Sequence, residues 1–176
     1  MSRVLRIALL VILAFVIFVT TRPSTFHVER STTIAAPADS LFPHIANFHD
    51  WNVWSPWAKL DPNAKVAFSG PQSGPGATFA WDGNDKVGAG TMTITESKPN
   101  DRIATRTDFT RPFSGTSHAD FVFSEAGGRT NVIWTMAGTH NFIGKAMCLV
   151  MSMEKTVGPD FEHGLAQLKR VSETSR

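Results

Sequence analysis

From Phe142 to Leu168 the chain carries a stripe of apolar residues, Phe142, Ala146, Leu149, Met153, Val157, Phe161, Leu165 and Leu168, stepping by three and four. This spacing predicts a long amphipathic helix at the C-terminal end. About thirty residues of helix reach about 45 Å if straight, enough to lie along a whole curved sheet. Left alone in water such a helix exposes a continuous apolar face, so the rest of the chain has to cover it. Gly158-Pro159 interrupts the stripe and predicts a kink or brief break there.

The segment before the stripe supplies a covering surface. From Lys65 to Gly138 apolar residues alternate in short runs divided by turns rich in Gly, Pro, Asn and Asp. Phe79 and Trp81 share a face, as do Gly90, Met92 and Ile94. Ile103, Thr105, Thr107 and Phe109 share the next, then Ala119, Phe121 and Phe123, and finally Val132, Trp134 and Met136. Six consecutive strands with short turns predict an antiparallel meander with one apolar face. A further strand is expected earlier, over Phe26–Ile34. Leu41, Ile45 and Phe48 have helical spacing, with Asp39 as the expected N-cap and Pro43 in the opening turn.

The N-terminal end has a different character. Ile7 to Val19 is unbroken Ile, Ala, Leu, Val and Phe. With Val4 and Leu5 the apolar span is about 17 residues, the short end of what crosses a bilayer as a helix. A secretory signal has a similar start, but Thr20-Thr21-Arg22-Pro23 offers no small-x-small cleavage site, so an uncleaved anchor is expected. Arg3 and Arg6 precede the span and predict a cytoplasmic N-terminus, which puts the body outside the inner membrane; Arg22 weakens the bias without reversing it. The expected organisation is an anchor over 1–22, a linker over 23–25 and a ligand-binding domain over 26–176.

Charge and cysteine content narrow the function classes. The chain has 17 basic and 15 acidic residues; without Arg3 and Arg6, 15 basic residues face 15 acidic ones. A neutral body lacks the field that holds a phosphate backbone, so nucleic acid is not an expected partner. Cys148 stands alone among Met147, Leu149, Val150 and Met151, which predicts a buried, inert thiol.

Three of the five tryptophans fall in Trp51-Asn52-Val53-Trp54-Ser55-Pro56-Trp57. Their large apolar rings, each with one N–H to satisfy, suit either the mouth of an apolar cavity or a packed core. This motif, Gly88-Ala89-Gly90, the tail from Met153 to Lys169 and the order of elements together resemble the SRPBCC (START-like) superfamily. The nearest branch is the bacterial polyketide cyclase/dehydrase and lipid transport group. The resemblance runs from about Phe26 to Arg170. It implies an α+β helix-grip fold, in which a bent antiparallel sheet wraps the long C-terminal helix around a deep apolar cavity, here preceded by a transmembrane helix.

Catalytic signals are absent from the sequence. The six histidines are dispersed without Cys or HExxH partners, so no metal is expected. Gly70 to Gly76 lacks the GK[ST] of a phosphate loop, and no Ser-His-Asp order surrounds Ser55 or Ser114. Asp82, Asp108 and His118 can act as acid or base only if they face inward; otherwise they are solvated surface groups. No catalytic residue and no cofactor is assigned.

The residues expected to line a pocket are Trp54, Trp57, Phe79, Trp81, Met92, Thr105, Thr107, Phe121, Trp134 and Met136. Thr105 and Thr107 stand out because alternation puts hydroxyls on an apolar face, where they can orient a ligand's polar end or bond locally. The expected function is a membrane-anchored module that binds a small hydrophobic ligand, lipid, isoprenoid or polyketide-like. The rivals are a cyclase or dehydratase in the same cavity, and an interaction protein whose cavity is closed.

Overall fold

A computed structural model describes residues 2–149 and 152–174. Strand β1 (Thr25–Ile34) is followed by a helical crossover and then by β2 (Lys65–Ser69), β3 (Thr78–Asp82), β4 (Ala89–Lys98), β5 (Arg102–Arg111), β6 (Gly115–Ala126) and β7 (Arg129–Thr139). These form one antiparallel sheet in the order β1-β7-β6-β5-β4-β3-β2. The meander is the one the alternation predicts. The crossover carries the chain from one edge of the sheet to the other, so β1 pairs with the last strand, with Val28 opposite Met136 and Arg30 opposite Trp134. A register shift in β4 between Ile94 and Glu96 adds the local bend that a wrapped sheet needs.

Helix α1 (Arg3–Thr20) precedes the sheet, and α2 (Ala38–Ala46), a 3₁₀ turn (Phe48–Asp50) and α3 (Trp51–Trp54) fill the crossover. α1 has the length and apolarity of a single span or of a signal sequence. In α2 the expected cap is corrected. Asp39 lies inside the first turn and Pro37 holds the cap position without a side-chain bond. The free N–H of Ala38 instead donates to the Glu125 carboxylate on β6 at 2.8 Å. That tertiary partner does what a local Asp cap would do. The helix therefore starts earlier than expected, and Pro43 sits in its interior rather than its opening turn.

The C-terminal stripe divides into α4 (Phe142–Cys148) and α5 (Met153–Thr174). Pro159 lies within α5, so the break falls before Met153 rather than at Gly158-Pro159. In α5 the stripe does what its spacing requires: Phe161, Leu165 and Leu168 are buried against the sheet. Each such side chain contributes about 1.5–3 kcal/mol on leaving water. Gly164 lets the helix come close, since a Cβ there would lie 2.9 Å from the Trp134 ring and 3.0 Å from Pro56. Arg30, on the helix-facing side of β1 with Val28, pairs with Glu154 at 2.7 Å and Glu162 at 2.6 Å.

The α4 part of the stripe is a correction. None of its residues is buried, and Phe142 and Leu149 are exposed. α4 packs against α1 instead of the sheet, with Lys145 Nζ donating to the Thr20 carbonyl at 3.3 Å. Cys148 is half-buried; Val150 and Met151, two of its apolar neighbours in sequence, lie outside the described residues.

Candidate ligand site

The middle of the grip is filled by aromatic rings. Trp134 stacks on Phe161 at 3.8 Å between centroids and on Phe121 at 4.8 Å. Trp54 and Trp57 meet Trp134 edge-on at 5.7 and 5.8 Å. The tryptophan motif also ties the crossover together. Trp51 and Trp54 donate their indole N–H groups to the carbonyls of Ile45 and His44, in the last turn of α2, where helical carbonyls lack partners of their own. Trp57 donates to Asp160 on α5 at 3.1 Å. Four of the ten residues expected to line a pocket, Trp54, Trp57, Phe121 and Trp134, thus pack on one another.

Three more, Phe79, Trp81 and Met92, are half-buried on β3 and β4. Phe79 stacks on Trp81 at 5.7 Å, and Trp81 donates to the Val87 carbonyl. Thr105 is buried and its hydroxyl turns to the Ala119 carbonyl at 3.4 Å. Thr107 is buried opposite Ser117 in the β5–β6 register. Met136 is the member of the ten that lines an open cavity.

That cavity, about 220 Å³, lies where β5, β6, β7 and β1 end beside α4. Its walls include Phe26, Phe109, Phe113, Met136, Met147 and Met153. Ser117 lies on its inner side, 2% exposed, and its hydroxyl has no hydrogen-bond partner. An unpartnered buried hydroxyl costs roughly 1–3 kcal/mol, a cost a ligand's polar atom would remove. Ser117 is one step of the same alternation before Ala119, Phe121 and Phe123, which is the signal in the sequence that places it on the inner face.

No Asp, Glu, Lys or Arg lines this cavity among the described residues. Its titratable groups are His140 and Cys148, with Nε2 and Sγ 3.2 Å apart. Burial lowers the pKa of His140 below the usual imidazole value, favouring the neutral ring, which stacks on Phe26 at 4.9 Å. The residues weighed as acid or base lie elsewhere. Thr116 and Arg106 donate to Asp108 and lower its pKa, so it stays a carboxylate. Asp82 pairs with Arg111, and His118 is exposed. A second hollow of about 340 Å³ lies beneath the β2–β3 loop, bounded by Ser69, Gly70, Pro71, Gln72 and Thr78. It is larger and of mixed lining, with Phe48, Phe68 and Ala77 also on its walls, and none of its side chains is buried without a partner.

Residues 25–173 match the family described as polyketide cyclase / dehydrase and lipid transport. The chain belongs to that family. Its fold recurs in solved structures of low sequence identity. The Aha1 dimer from Colwellia psychrerythraea is 16% identical with a TM-score of 0.61, covering 84% of this chain and 96% of that one. A protein from Nitrosospira multiformis is 20% identical with a TM-score of 0.62, covering 86% and 100%. The di-domain ARO/CYC BexL from the BE-7585A biosynthetic pathway is 18% identical with a TM-score of 0.62; the match covers 88% of this chain and 52% of BexL. No curated protein matches the sequence. At these identities the structures share the fold alone. In this polyketide cyclase / dehydrase and lipid transport domain, the seven-stranded sheet and long helix are present, while the centre of the grip is aromatic and open space lies beside α4 and beneath the β2–β3 loop.

Proposed function

We propose that this protein is a membrane-anchored module that holds a small, neutral, hydrophobic ligand in the cavity beside α4. The observation that carries the reading is the buried, unpartnered Ser117 hydroxyl in a mainly apolar cavity without an Asp, Glu, Lys or Arg in its lining. An ionised ligand would enter without a counter-charge, which is costly. A ligand with one uncharged oxygen, a hydroxyl or a carbonyl, would satisfy Ser117 and leave its hydrocarbon against Phe109, Met136 and Met153. Ligand pockets usually occupy roughly 300–1,000 Å³. The 220 Å³ here therefore suits a small compound or the polar end of a longer chain.

α1 serves as the anchor in this reading. Arg3 and Arg6 precede it, so the N-terminus faces the cytoplasm and the domain stands on the outer side of the inner membrane. The cyclase or dehydratase reading draws on the His140–Cys148 pair, the titratable groups that reach the same cavity.

The test is native mass spectrometry of the full chain in lipid nanodiscs. A retained neutral compound is expected with the natural sequence, weaker retention with Ser117→Ala, and none with Ser117→Phe, which fills the space. Equal retention by all three would place the ligand elsewhere. Conversion of the retained compound on incubation, abolished by His140→Gln, would favour the enzyme.

A further inference from the structure

The rim of this cavity is apolar on its outer side as well. The β5–β6 hairpin presents Phe113 at 48% exposure, and α4 presents Ile143 at 54%, with Phe142 and Met147 exposed beside it. Phe113 and Met147 are also cavity walls, so the same side chains border the opening and face solvent. Burying four such residues on a partner is favourable, and leaving them in water as a group marks an interaction surface.

We propose that this rim is a docking face for the lipid bilayer, so that the cavity opens directly onto the membrane that holds α1. The proposal rests on the reading of α1 as a membrane span, and it adds which face of the domain touches lipid. α4 packs on the end of α1, where Val19 is fully buried, and Lys145 Nζ reaches the Thr20 carbonyl at 3.3 Å. An 18-residue helix is about 27 Å long, close to the roughly 30 Å hydrocarbon core, so a spanning α1 puts Thr20 at the outer boundary. Lys145 lies at that boundary with it, and the exposed side chains of α4 are within one or two turns of Lys145.

Charge agrees with this placement. Residues 20–26, 109–117 and 139–149 contain Arg22, Arg111 and Lys145 and no Asp or Glu. Arg111 is paired with Asp82, and Glu154, beside the cavity wall Met153, is paired with Arg30, so Arg22 and Lys145 are the cations this end offers. Cations over an apolar rim suit a surface of anionic lipid headgroups, with aliphatic stems in the boundary region and charged ends in water. Arg22 already stacks over Phe18 at 4.0 Å, holding its charge at the end of the span.

The experiment uses the full chain in vesicles of phosphatidylcholine and phosphatidylglycerol. Single cysteines, Phe113→Cys, Ile143→Cys and the distant control Leu60→Cys, are made with Cys148→Ser and labelled with an environment-sensitive fluorophore. All three replace exposed side chains, and circular dichroism checks the fold. The expected result is several-fold stronger quenching by lipids spin-labelled near the headgroup at 113 and 143 than at 60. Equal quenching at all three positions, in protein that resists alkaline carbonate extraction, overturns the docking face and leaves the anchor standing. Release of the protein by carbonate overturns the anchor and the docking face with it. Strong shielding at 143 without lipid quenching, accompanied by cross-linking of two chains, assigns the rim to a second copy and overturns the proposal.

Discussion

The Trp134 ring on β7 lies parallel to the Phe161 ring on α5, with 3.8 Å between centroids and 7° between planes. One ring belongs to the sheet and the other to the helix it wraps, so this contact closes the centre of the grip. Phe121 covers the other neighbouring side at 4.8 Å, and Trp57 meets both Trp134 and Phe161 edge-on. The cavity proposed for the ligand lies at the end of the sheet, beside α4, because these rings fill the middle.

Phe161→Ala removes one half of the stack from a fully packed site. A loss of about 3–5 kcal/mol is expected for Phe→Ala in a core. Urea denaturation of the full chain in detergent measures it; a loss below about 1 kcal/mol would mean that the neighbouring rings close the gap unaided.

Leu165→Asp places a carboxylate in a position 2% exposed within the hydrophobic core. The buried charge is too costly to hold, so the domain is expected to unfold or to melt far below the natural protein. Ala166→Asp, one residue on and exposed, is expected to leave the melting temperature almost unchanged. Equal melting of the two variants would remove α5 from the sheet face assigned to it.

Gly158→Ala sets two effects against each other. Alanine in a helix interior is favoured over glycine by about 1 kcal/mol. Its Cβ would lie 2.3 Å from Arg30 Nη2, however, and would push the guanidinium away from Glu154 and Glu162. The stabilising effect is therefore expected to be larger in an Arg30→Ala background than in the natural sequence. A double-mutant cycle by chemical denaturation reads the difference; additivity of the two changes would show that Arg30 moves aside at no cost.

Burial lowers the pKa of His140, which fixes the sign of a pH effect. Between its lowered folded value and the usual 6.5, the unfolded chain binds more protons than the folded one. Stability therefore falls as pH drops through that window and is unaffected by this group above it. Melting temperatures followed downward from neutral pH are expected to decline less steeply in His140→Gln than in the natural protein. The same slope in both would assign the decline to other groups. The lowered pKa of Asp108 also makes stability fall with acid, but in a separate window below its usual 3.8.

Local spacing by itself determined which face of each strand is apolar and which stripe of the C-terminal helix seeks cover. Period two put Ile103, Thr105 and Thr107 on one buried face, and period 3.6 did the same for Phe161, Leu165 and Leu168. These patterns belong to single elements, so they are legible without the fold. What covers each face depends on partners remote in sequence. Glu125 caps α2 from across the sheet, Gly158 leaves room for Arg30, and α1 draws α4 away from the stripe that continues into α5. The proposed ligand site belongs to this second class. Ser117, Phe26, Met136 and Met147 come from four separate elements, and only the packed aromatic centre decides that the remaining space falls between them. Periodicity states that a surface must be buried; three-dimensional packing decides where burial stops and a cavity remains.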